Sequence, residues 1–298
     1  MSGPAFESLA SGLAVAEGPV ALPDGTLLFV EVFSGRVSRL SADGAVSLVA
    51  DTGGGPNGAA LGPDGHGYIC NNGGISREDL DRFRAGTDDP SLPAPDGRIE
   101  RVNISTGAVE RLYDHCGDTK LLSPNDLVFD AHGGFYFTDF GSVRRLAPQV
   151  GHVYYALADG SSIKRAGIPL ERPNGVGLSP CGEYLFVSET STGRVWRFDV
   201  VAPGMLRGDD APTLLFHDPE LHLDSLAVQA DGCVCVASPN SDCILRVTPD
   251  GRGQRIPTPV GRPSNLCFSG ADMRTVFITM LGGEIFRAQW DSPGLELN

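Results

Sequence analysis

SPNDLVFDAHGGFYFTD, Ser123–Asp139, is the stretch whose reading decides the fold. A polar token, Pro124-Asn125-Asp126, leads into a short apolar run, Leu127-Val128-Phe129. A glycine-rich turn, Asp130-Ala131-His132-Gly133-Gly134, follows, and then a second run, Phe135–Thr138, that ends on Asp139. Two β-prone runs joined by such a turn read as a hairpin. Working outward, the same order of token, strand, turn and strand recurs along the chain. Glu17-Gly18-Pro19 leads to Leu27–Glu31, and Pro56-Asn57-Gly58 leads to Tyr68–Asn71. Pro173-Asn174-Gly175 leads to Tyr184–Ser188, Leu223-Asp224 to Cys233–Ala237, and Pro263-Ser264-Asn265 to Val276–Thr279.

The polar residues that lead the copies, Glu17, Asn57, Asn125, Asn174, Asp224 and Asn265, are separated by 40, 68, 49, 50 and 41 residues. A period of about 40–50 residues with several short strands per unit is that of a β-propeller built from four-stranded blades. Six units use nearly all 298 residues, so the chain reads as all-β, one domain over 1–298, a six-bladed propeller with four antiparallel strands per blade. The last unit runs short of strands before Asn298. Residues 5–13 precede the first unit and are expected to supply the missing outer strand, closing the ring and removing open sheet edges.

The 68-residue interval marks an insertion, Ile75–Asp96, charged and without strand alternation, placed where a lid or a plain surface loop would sit. A second irregular segment, Val201–Ala211, extends the outer connection of blade four. The recurrent G-x-[VI]-x-R pattern in the third strands places apolar side chains against adjacent sheets and arginines outward.

Glycine (39) and proline (22) are abundant, which in a repeat protein means many turns. The net charge of −14 argues against nucleic acid and anionic membranes as partners. No run of about 18 apolar residues is present, so no transmembrane helix is expected. The N-terminus has neither a basic start nor a long apolar run, so no signal peptide is expected. Seven cysteines, an odd number, with no C-x-x-C spacing, read as free thiols in a reducing, cytoplasmic setting. A monomer or weak homo-oligomer is expected.

In a propeller the first strand of each blade lines the central channel, so the residue at its entrance points to the axis. Here all six such residues, Glu17, Asn57, Asn125, Asn174, Asp224 and Asn265, carry oxygen. A ring of carboxylates and carboxamides suits a hard cation; calcium takes roughly 6–8 oxygen ligands. Magnesium, manganese and zinc are the alternatives. The competing reading is that Asn and Asp open turns; it is weakest for Glu17. Two inward carboxylates on a narrow axis are costly without a counter-ion.

Glu17-Gly18-Pro19, Pro124-Asn125-Asp126, Pro173-Asn174-Gly175 and Leu223-Asp224 resemble the signatures of the SMP-30/gluconolactonase/luciferin-regenerating-enzyme family, in order and over the whole chain. The resemblance implies one divalent metal on the axis and lactone hydrolysis. By position, Glu17, Asn174 and Asp224 match the family's core metal ligands, and Asn125 matches a residue facing metal and substrate. The Asn125-Asp126 pair is also similar to the paraoxonases, a related calcium lactonase group. One departure stands out. Where gluconolactonases usually place an arginine two residues before the Asn-Asp pair, this chain has Ser123, and Leu127 rather than glycine follows Asp126. That weakens the expectation of a sugar lactone.

The implied chemistry makes Asp224 the base that takes a proton from the attacking water, with calcium the first choice of ion. Asp126 is the other candidate base, or the residue that holds Asn125. Asn57, Asn72, Asp126 and His222 are the expected substrate-binding residues; for Asn72 an Asn-Gly turn competes. His152 reads as an edge histidine. The rival functions are a non-catalytic binding scaffold and a strictosidine-synthase-like enzyme.

Overall fold

In the computed structural model, residues 4–74, 96–141, 150–207 and 212–297 are described. The insertion read at Ile75–Asp96 lies outside them, apart from Asp96. Among the described residues, six antiparallel sheets of four or more strands follow one another along the chain, and a two-stranded ribbon, His115–Cys116 with Thr119–Lys120, sits between the second and the third. The innermost strands of the six sheets are Ala16–Ala21, Pro56–Leu61, Pro124–Phe129, Pro173–Leu178, Leu226–Val228 and Pro263–Ser269. Blade six is completed by Phe6–Ala10, which pairs antiparallel with Ile285–Gln289, so the N-terminal strand closes the ring as expected. Blade four carries an addition to the four-strand plan: its third strand, Arg194–Ala202, runs on to pair with a short strand, Met205–Leu206.

Stability comes from between the blades. Among the described residues there are six apolar clusters, each filled from two neighbouring sheets. Val128, Tyr136 and Val153 of blade three, for instance, pack against Val176, Leu185 and Phe198 of blade four. Leu28 and Val30 of blade one pack against Ala59 and Ile69 of blade two. A strand sandwiched between two such clusters is apolar on both faces, which explains runs such as Leu27-Leu28-Phe29-Val30 instead of strict alternation. The cysteines behave as small core residues: all seven are free, and Cys70, Cys233, Cys235 and Cys243 are buried. The pattern arginines face outward and pair with acids, as in Arg246 with Asp231 and Arg287 with Glu7, both at 2.6 Å.

Arg98 is different. It is 5% exposed and bonds Glu100 Oε1 through Nε at 2.6 Å. Its other nitrogens reach the carbonyls of Thr52 (2.8 Å) and Asp96 (3.0 Å), and Asn71 Nδ2 donates to Glu100 Oε2 at 2.9 Å. This network ties down the two loops at the top of blade two. Removing one member of a buried ion pair leaves the other charge uncompensated, at a cost of about 3–5 kcal/mol. Glu100→Ala is therefore expected to lower the melting temperature by roughly 6 °C or more, measured by thermal unfolding; a change under a degree would show that the pair is not structural.

Candidate active site

Five of the six ring residues are set by the same backbone device. The first residue of an inner strand pairs with the end of the second strand, as in Ala16 with Glu31, Pro124 with Asp139 and Pro173 with Glu189. Register then breaks immediately, between Glu17 and Val20, Pro56 and Ala59, Pro124 and Leu127, Pro173 and Val176, and Pro263 and Asn265. A bulge bends the strand and re-aims the side chain that follows. In blade five the strand starts only at Leu226, and Asp224 is held by its N–H on the Ala237 carbonyl at 2.8 Å.

Hydroxyls and glycines then lock neighbouring blades together around the axis. Thr138 Oγ1 of blade three donates to the Asn174 carbonyl of blade four. Ser188 Oγ of blade four donates to the Asp224 carbonyl at 2.7 Å, and Ser225 N–H donates to the Ser264 carbonyl at 3.2 Å. Ser264 Oγ completes the circle on the Ala16 carbonyl at 3.1 Å. Where no hydroxyl intervenes, glycine lets the backbones touch. A Cβ at Gly18 would lie 2.7 Å from the Asn57 carbonyl oxygen, and one at Gly58 would lie 2.4 Å from that of Asn125. Thr138→Val keeps the shape but strands the Asn174 carbonyl and the Asp126 N–H that Thr138 Oγ1 accepts at 3.2 Å. We expect about 1–3 kcal/mol of lost stability, read by denaturation; wild-type stability would show that this bond does not hold the corner.

The result is a cluster drawn from several blades. Glu17 is 3% exposed and hydrogen-bonded by Asn265. Burial pushes its carboxyl well above the ordinary range, and the nearby Asp224 and Asp126 carboxylates push it further. Burial raises Asp126 to about 7, against bonds from Leu127 N–H (2.9 Å) and the Ser225 hydroxyl. Burial likewise raises Asp224 to about 7, opposed by a hydrogen bond from Asn174 and by the charge of Arg262. Residues of blades one, three, five and six are thus close enough to act on one another's charge.

The arrangement fits a cation. Asn125 is 8% exposed, and its Oδ1 is buried with no hydrogen-bond partner. A buried amide oxygen without a donor is costly unless something positive faces it. Among the described residues no three His, Cys, Asp or Glu side chains form a ready ligand group. The donors are mixed: the carboxylates of Glu17 and Asp224 with the amides of Asn125 and Asn174, the oxygen-rich set that calcium prefers.

The other expected residues sit as follows. Asn57 is half-buried, its carbonyl against Gly18. Asn72 Oδ1 accepts the Gly74 N–H at 2.9 Å, a local turn bond. His222 is exposed, between the fully buried Leu221 and Leu223, in the stretch before the inner strand of blade five begins. His152 is half-buried beside Tyr154, its ring centroid 6.0 Å away. Sequence reasoning missed the acids that close the second strands. Asp139 accepts the N–H groups of Leu122, Ser123 and Gly141 at 2.7–2.9 Å, and Glu189 accepts that of Glu171 at 2.8 Å. Their signal was visible: Glu31, Asn71, Asp139 and Glu189 each end an otherwise apolar strand.

Residues 15–282 match the SMP-30/Gluconolactonase/LRE-like region. A gluconolactonase of Zymomonas mobilis is 23% identical, over 92% of this chain and 78% of that protein. The structure of a gluconolactonase from Xanthomonas campestris superposes with a TM-score of 0.77 at 24% identity, covering 97% of this chain and 90% of the other. Regucalcin from Agrobacterium tumefaciens, a calcium-binding protein, superposes with a TM-score of 0.75 at 17% identity, covering 99% and 98%. These two structural likenesses show the fold. The match over 15–282 spans most of the chain and contains every residue of the axial cluster, and on that match the chain belongs to the SMP-30/gluconolactonase/LRE-like family.

Proposed function

We propose that this protein is a lactonase: it opens a cyclic ester by hydrolysis at a divalent cation held on the propeller axis. One observation carries the reading. The carboxylates of Glu17, Asp126 and Asp224, from three blades, act on one another's charge, and Asn125, next to Asp126 in the chain, carries a buried amide oxygen with no donor. The name of the Zymomonas relative supports lactone hydrolysis, and that of regucalcin supports calcium.

Glu17, Asn125, Asn174 and Asp224 would hold the ion. When bound, a cation supplies Lewis-acid polarisation of the ester carbonyl and a counter-charge for the oxyanion. Asp224 takes a proton from the water that adds to the acyl carbon. The ring C–O bond then breaks, and the proton passes to the departing alkoxide oxygen, leaving a hydroxy acid. Asn174 fixes the orientation of the Asp224 carboxylate by its hydrogen bond. Asp126, bonded by Leu127 N–H and Ser225, sets the strand corner that presents Asn125. Serine and threonine hydroxyls hold the carbonyls behind Asn174 and Asp224, so their side chains stay aimed inward.

The test is proton release from a panel of neutral and acidic lactones by the purified protein in calcium. Ring opening well above the uncatalysed rate for at least one lactone is expected. A folded, calcium-loaded protein inert on every lactone would favour a binding scaffold.

A further inference from the structure

Three inner strands are entered through a non-glycine residue in left-handed backbone: Val15 (φ 62°), Arg172 (φ 51°) and Arg262 (φ 72°). Each stands directly before the first strand residue, at the channel mouth. This backbone is uphill for any residue with a Cβ, and the proline that follows each arginine restricts it further. Backbone outliers of this kind gather at functional sites.

The two arginines differ in their surroundings. Arg172 is half-buried, donates to Ser191 Oγ at 3.1 Å and lies over the Phe140 ring at 5.9 Å, so it is part of the wall. Arg262 is exposed. Its backbone is clamped at both ends: the N–H donates to Asp242 Oδ1 at 3.0 Å, and the carbonyl accepts the Leu281 N–H at 2.9 Å. Among the described residues its guanidinium has no ion-pair partner. Two residues on, the Ser264 carbonyl holds Ser225 N–H, which places Arg262 beside the Asp224 corner of blade five. Its charge reaches Asp224 and acts against the effect of burial there.

A strained, clamped cation with no ion-pair partner among the described residues, at the mouth of a channel lined by carboxylates and in a chain of net charge −14, has a task that packing does not explain. The inner carboxylates would repel an anionic substrate. A planar guanidinium at the rim offsets that repulsion and grips a carboxylate with two hydrogen bonds. A neutral lactone has nothing for it to grip. Resting on the lactonase reading above, we propose that Arg262 is a specificity residue that selects lactones bearing a second, ionised carboxylate.

The test compares γ-butyrolactone with its ring-carboxylated analogue, using the full chain in calcium. The ratio of kcat/KM, acidic over neutral, is measured for wild type, Arg262→Gln and Arg262→Lys. The expected result is a ratio at least tenfold lower in Arg262→Gln, partly restored in Arg262→Lys. An unchanged ratio, including an equal loss on both lactones, overturns the proposal, because Arg262 then acts only through Asp224. If wild type opens neither lactone, the wider lactone panel decides the lactonase reading, separately from the role of Arg262. Calorimetric binding of the ring-opened hydroxy dicarboxylate then decides the role of Arg262. Binding at least tenfold weaker in Arg262→Gln than in wild type supports it; equal binding, or none to either protein, overturns it.

Discussion

Asp224→Asn is expected to reduce kcat/KM for lactone opening by about three orders of magnitude, the scale on which a general base and a positioned charge contribute. The variant should nonetheless fold, and without metal at pH 8 it should be more stable than wild type. The charge of Asp224 raises the cost of ionising the buried Glu17, and the amide relieves it while keeping the shape and the contact with Asn174. About 1 kcal/mol of relief corresponds to roughly 2 °C in a chain of this size. The calcium-induced rise in melting temperature should collapse at the same time, because one of the two charged donors is gone. Activity lost, metal-free stability gained and the calcium response abolished form a combination that a merely structural aspartate does not produce. Wild-type turnover in the variant would remove Asp224 from the chemistry.

The second large effect is on pH. In the metal-free protein Asp126 and Asp224 are raised to about 7 and Glu17 is raised well above its usual value, each chiefly by burial. Unfolded, these groups titrate near about 4. Groups whose folded values lie above their unfolded ones stabilise the fold most below about pH 4, and that contribution is lost as pH climbs through the folded values. The metal-free protein is therefore expected to lose stability between about pH 4 and pH 7, by a few kcal/mol in order of magnitude. A cation reverses the sign, because it binds the ionised cluster. The stabilisation gained from calcium should grow over the same interval. Melting curves across this range, in chelator and in calcium, give both profiles. Parallel profiles would mean that the carboxylates do not face the ion.

The architecture was legible because it repeats. Pro124-Asn125-Asp126 and its five counterparts announce the inner strands, and the short last unit announces closure by Phe6–Ala10. The expectation of an axial site rests on the same repetition: one polar position per blade, in register, is hard to produce with turns alone. The supporting residues were harder to read. Thr138, Ser188 and Ser264 look like ordinary strand residues, and their work depends on which neighbouring carbonyl a bulge brings into reach. Arg98 shares its strand with the outward arginines, yet a neighbouring acid, Glu100, draws it inside. Arg262 is conspicuous only through its backbone angle, which no residue pattern encodes. Asn72 shows the opposite case: a residue that reads equally as pocket or turn, and whose carboxamide oxygen takes a turn N–H.

The central claim is that the axial oxygens hold the cation on which hydrolysis depends. The most direct measurement is lactone hydrolysis by protein stripped with chelator and then titrated with calcium, with bound metal counted in the same samples. The account predicts no turnover in the stripped protein, and recovery in proportion to one ion bound per chain. Full turnover in protein shown to hold no divalent metal would contradict it.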